Sequence, residues 1–69
     1  MSYVNFKITR EGVTTEQKAA LINGATDLLV DVLDKDPTTE FVVINEVDLG
    51  DWGVGGMAVE QYRRPRGKG

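Results

Sequence analysis

The segment EFVVINEV, residues 40–47, constrains this chain more than any other stretch. Phe41, Val42, Val43 and Ile44 run apolar without alternation and are mostly β-branched, the composition of a strand buried on both faces. Covering both faces takes a layer on each side. The chain has 69 residues and one long stretch of helical periodicity, so it owns a cover for one face only. At this length a domain buries only roughly 60% of its extended surface, and the sequence has no cysteine with which to cross-link itself. The second face is therefore expected to close against another copy of the chain, at the ~10 Å spacing of stacked sheets. That makes the protein an obligate homo-oligomer by expectation.

The elements around this strand follow from periodicity. In residues 3–9, Val4, Phe6 and Ile8 alternate with Tyr3, Asn5, Lys7 and Thr9, the period of a strand. Gly12 turns the chain, and Thr14 with Gln17 three places on reads as a capping box opening a helix over about residues 15–34. Leu21, Ala25, Leu28, Leu29, Val32 and Leu33 form its apolar stripe. Pro37 disfavours helical geometry in the residue before it and so ends the helix in DKDP. Two strands with one helix between them predict a βαβ unit with parallel strands. Beyond residue 47, Gly55 and Gly56 predict a tight hairpin turn, followed by a final strand over residues 57–62. The fold class is α+β, with residues 1–64 as a single domain and residues 65–69 as a flexible basic tail.

Composition removes most functional classes. With no histidine and no cysteine, the usual zinc ligands, thiol nucleophiles and imidazole bases are missing together, and neither a metal nor a cofactor is expected. There is no P-loop, no GxSxG and no HExxH, and GDWGVGG follows the second strand without opening a helix, so it is not a dinucleotide fingerprint. Arg63, Arg64, Arg66 and Lys68 crowd the C-terminus, whereas all eleven acidic residues precede them. With no aromatic residues interleaved, this tail reads as a solvated terminus, and no nucleic-acid partner is expected. No segment approaches the ~20 apolar residues that span a bilayer, so no membrane partner is expected and the location is read as cytoplasmic. The carboxylates Glu11, Glu46, Asp48 and Asp51 are candidates for an acid/base pair, weighed against their reading as solvated surface charge.

The order of these elements resembles the 4-oxalocrotonate tautomerase family. The resemblance rests on EG at residues 11–12, EQK at 16–18, LI at 21–22, Pro37 ahead of the β-branched run, and WGVGG at 52–56, in order and at nearly the family's spacing. It implies a small isomerase, a homohexamer built as a trimer of dimers, acting on small 2-hydroxydienoate or enol-keto acids. In that family an N-terminal proline, exposed when the initiator methionine is removed, is the general base. Burial lowers the pKa of a cationic amine, so it is free base near neutral pH. An aromatic residue of the glycine-flanked hairpin makes the pocket apolar, which the resemblance assigns to Trp52 of a neighbouring chain.

The sequence departs from that pattern at the base. Ser2 occupies the proline position. With Met1 removed, its α-amine is a primary amine of reference pKa ~7.7 to 8.0; with Met1 retained, the amine is displaced by one residue, ~3.8 Å. The positions of the two family arginines fall at Val13 and Val42, leaving Arg10 as the candidate substrate-binding residue, with Arg63 and Arg64 as further options. The catalytic candidates are thus Ser2 and Trp52. A catalytically silent structural subunit and a small-molecule-binding homologue using the same pocket remain as alternatives.

Overall fold

The structure is a computed structural model that describes residues 1–34 and 36–64. The expected basic tail, residues 65–69, lies outside the described residues.

Strands β1 (Ser2–Thr9) and β2 (Glu40–Val47) pair in parallel, from Ser2 opposite Glu40 to Thr9 opposite Val47. Helix α1 (Thr15–Leu33) crosses between them. Its start is held by both halves of the capping box: the Gln17 N–H donates to Thr14 Oγ1 at 3.1 Å, and the Thr14 N–H donates to Gln17 Oε1 at 2.9 Å. Its end comes one residue earlier than expected, because Asp34 takes the left-handed conformation (φ 53°) and its N–H donates to the Val30 carbonyl at 2.9 Å. Pro37 has a different part from the one expected: it opens a 3-10 turn, Pro37–Thr39, capped by Asp36. Asp36 accepts from the Thr38 N–H (2.9 Å) and hydroxyl (2.8 Å), which holds its carboxyl below the usual range.

Alternation along the strands separates two faces. The side facing α1 carries Val4, Phe6 and Ile8 of β1 with Val42 and Ile44 of β2, and Lys18 of α1 reaches down to Glu46. The opposite side carries Tyr3, Phe41 and Val43, all exposed, Phe41 by 48%. The predicted double-sided strand is thus covered on one side within a chain. Even the helix spends only part of its stripe, since Leu28 and Val32 stand 63% and 69% exposed.

Past β2 the chain makes a second 3-10 turn, Leu49–Asp51, and then a small hairpin of β3 (Gly53–Val54) and β4 (Met57–Ala58). Gly55 (φ 61°) and Gly56 (φ 88°) supply the two positive φ angles of its turn. The expected final strand over residues 57–62 is corrected here: it stops at Ala58, and Val59–Tyr62 form a helical turn, α2. The reason lies in the partner. β3 is two residues long, so beyond Ala58 one further N–H, that of Val59, finds the opposite chain at the Trp52 carbonyl (2.7 Å). After that the backbone satisfies itself locally, with the Arg63 N–H donating to the Val59 carbonyl at 2.9 Å.

This C-terminal arm packs chiefly on itself and on the turn before it. The chain accordingly measures 52 × 23 × 16 Å with a radius of gyration of 16.4 Å, against ~11 Å for a compact globule of this length. Among the described residues, Val59 is the one buried apolar side chain, 7% exposed.

Candidate active site

Ser2 opens β1, half-buried, with Glu40 as its register partner on β2. Arg10 lies just past the other end of β1, where its N–H donates to the Val47 carbonyl at 2.8 Å. Eight residues of strand at ~3.3 Å each put roughly 26 Å between Ser2 and Arg10. Trp52 follows β2 by five residues, three of which coil into a 3-10 turn. That is too little chain to return along the length of β2, so Trp52 shares the Arg10 end. The structure therefore brings Arg10 and Trp52 to one end of the sheet and leaves Ser2 at the other.

Trp52 is half-buried, and its backbone is fixed from both sides: its N–H donates to the Leu49 carbonyl (3.3 Å) and its carbonyl accepts from Val59 (2.7 Å). Glycines around it are thus not slack chain. They allow a two-residue turn to present the indole from a short, hydrogen-bonded arm. Arg10 is half engaged: its Nε donates to Asp48 Oδ1 at 2.8 Å and its Nη2 to the Glu46 carbonyl at 3.3 Å. The bond to Asp48 makes the guanidinium hold its proton more firmly still. Its remaining N–H groups are unused by these contacts, which leaves donors for an anionic ligand.

Of the four carboxylates singled out from the sequence, three are ion-paired. Glu46 binds Lys18, Asp48 binds Arg10, and Glu11 accepts two bonds from Arg63, at 2.5 and 3.3 Å, besides the Thr9 hydroxyl. The Arg63 bond, followed by that of Thr9, holds the Glu11 carboxyl below its usual range, and Lys18 does the same for Glu46. These are structural charges. Arg63 ties the arm back to the turn after β1, and Arg64 is exposed. Val13 and Val42 are half-buried and bring no charge. Among the described residues, no group of three or more acidic side chains is arranged to hold a metal ion.

One ionisable residue escaped the sequence reading. Glu40 is 9% exposed, and among the described residues its Oε1 is buried without a hydrogen-bond partner, while Oε2 accepts from the Thr39 hydroxyl at 3.2 Å. The signal was its place: a glutamate heading the apolar run at residues 41–44.

A family model described as tautomerase enzyme matches residues 3–62. The chain belongs to the tautomerase family. A probable tautomerase, K2, of Dickeya dadantii (strain 3937) is 52% identical over 64 residues, spanning 93% of this chain and 96% of that protein. The crystal structure of DmpI from Helicobacter pylori is 43% identical, with a TM-score of 0.83 over 88% of this chain and 94% of the other. A heterohexamer 4-oxalocrotonate tautomerase from Chloroflexus aurantiacus J-10-fl is 28% identical, with a TM-score of 0.81 over 91% of this chain and all of that one. The α+β tautomerase fold read from the sequence is the one observed. Among the described residues, no helix of the chain is long and apolar enough to cross a membrane.

Proposed function

We propose that the chain is a 4-oxalocrotonate tautomerase-like isomerase of small 2-hydroxydienoate or enol-keto acids, working as a cytoplasmic homohexamer in which residues 1–64 form the domain. Met1 is removed, and the α-amine of Ser2 is the general base: as free amine it takes a proton from the enol form of the substrate and, as ammonium, returns it to carbon. Trp52 of a neighbouring copy walls the pocket and keeps the amine desolvated, which favours its neutral form. Arg10 of a neighbouring copy grips the substrate carboxylate with the donors that Asp48 and Glu46 leave over.

The observation that carries this reading is the separation of Ser2 from Arg10 and Trp52 within one chain, together with a buried apolar core that, among the described residues, is Val59 alone. Copies that close the open sheet face bring the opposite ends of different chains together, so burial and site assembly are one event. No cofactor takes part in such a proton transfer.

A second reading, a silent structural subunit, is favoured by Ser2 standing where the family has proline and by Val13 and Val42 standing where it has arginines. The two separate on the ketonisation of phenylenolpyruvate by the native chain and by Ser2→Pro, after an intact mass has shown that Met1 is absent. Turnover by the native chain, raised by Ser2→Pro, supports the isomerase. Absence of turnover in both overturns it; saturable quenching of Trp52 fluorescence by a keto acid then marks a binding protein, and no quenching a structural subunit.

A further inference from the structure

Glu40 opens β2 directly opposite Ser2, the first residue of β1. Residues paired in a parallel ladder share a face, so both belong to the side of the sheet that α1 covers. The carboxylate is nine-tenths buried there, one oxygen has no partner, and the other has a single hydroxyl at 3.2 Å. A carboxylate out of water without its full set of donors is costly, and a cation beside it offsets that cost.

Removal of Met1 creates such a cation at this spot. Paired strands lie ~4.8 Å apart, and the amine is one bond, ~1.46 Å, from the Ser2 Cα, within the reach of a glutamate side chain. We propose that Glu40 is a positioning residue for the processed N-terminus, its free oxygen accepting a hydrogen bond from the α-ammonium of Ser2. This rests on the reading of Ser2 as the base and deepens it. A primary amine on an acyclic residue turns freely where a proline ring would not, and the carboxylate fixes it. The same contact favours the ammonium, so the amine becomes free base at a higher pH than an apolar pocket alone would set.

Among the described residues, the other ionisable groups on the surrounding elements do not compete for this position. Asp27 and Asp31 on α1 and Asp34 just past its end are exposed, Lys18 and Glu46 are paired with each other, Asp36 is turned to Thr38, and Tyr3 and Lys7 of β1 are exposed and lie on the opposite side of the sheet by alternation.

The test is a titration of the Ser2 13C signals in the processed full-length chain, native and Glu40→Gln. The midpoint is expected to fall by about one pH unit in Glu40→Gln, a tenfold loss of proton affinity. Superimposable curves overturn the proposal. Should Glu40→Gln not fold, Glu40→Asp decides: the shorter side chain draws its carboxylate back from the Ser2 amine, whose midpoint is expected to fall, and superimposable curves overturn the proposal. Neither measurement needs turnover. Coupling without ketonisation of phenylenolpyruvate overturns the base reading alone, and ketonisation without coupling overturns the role of Glu40 alone.

Discussion

Ser2 and Trp52 are held apart by the β1–β2 pair. One opens β1 and the other leaves the far end of β2, with the length of an eight-residue strand between them. A residue pair so placed meets only between chains. If it forms the site, two inactive variants complement each other. A chain that retains Met1 through Ser2→Lys and a chain carrying Trp52→Ala are each expected to lose most ketonisation activity. Unfolded together and refolded as a mixture, they are expected to regain a fraction of it, because some junctions then combine an intact amine with an intact indole. Activity no higher than the sum of the separate chains would place both residues in one chain's site.

Arg10 is expected to act on substrate binding. Arg10→Ala should lower kcat/KM about tenfold or more, mainly through KM, as befits the loss of a charged hydrogen bond to a carboxylate. Steady-state kinetics check this, and an unchanged KM would leave Arg10 as the partner of Asp48 only.

The capping box is a local stabiliser with no part in the site. Thr14→Ala leaves the Gln17 N–H without its acceptor and should cost about 1 kcal/mol. Urea unfolding at one fixed protein concentration measures it, since an oligomer's stability depends on concentration.

Gly56 has φ 88°, and a Cβ there would meet nothing within 4 Å. The cost of Gly56→Ala is therefore that of the backbone conformation alone, about 1–2 kcal/mol. Its effect should be local: faster amide exchange over residues 53–59 and a shifted Trp52 emission, with the amides of β1 and β2 protected as before.

Acid should weaken the fold through Glu11, Glu46 and Asp36. Each has its carboxyl lowered in the folded chain, by Arg63, Lys18 and Thr38 respectively. A lowered folded pKa gives stability that is complete above the unfolded value, ~4 for these side chains, and is lost as pH falls through the folded value. Stability measured by urea is thus expected to hold from neutral pH down to about 5 and to decline below about 4. Glu46→Gln should flatten part of that decline, and a slope identical to native would remove Glu46 from the account.

What the sequence by itself determined were features written in neighbouring residues. Thr14 and Gln17 announce a helix start because the cap is closed within one turn, and Gly55-Gly56 announces a hairpin because only the local backbone must bend. The apolar run at residues 41–44 already required a cover that one helix could not supply, and the exposed Phe41 and Val43 bear the deficit. What only the tertiary structure decided depends on register between distant segments. It set β4 to end at Ala58, because β3 offers no longer edge. It also set Ser2 beside Glu40 and away from Trp52, because parallel pairing fixes which residues share an end, and no periodicity within either strand contains that alignment.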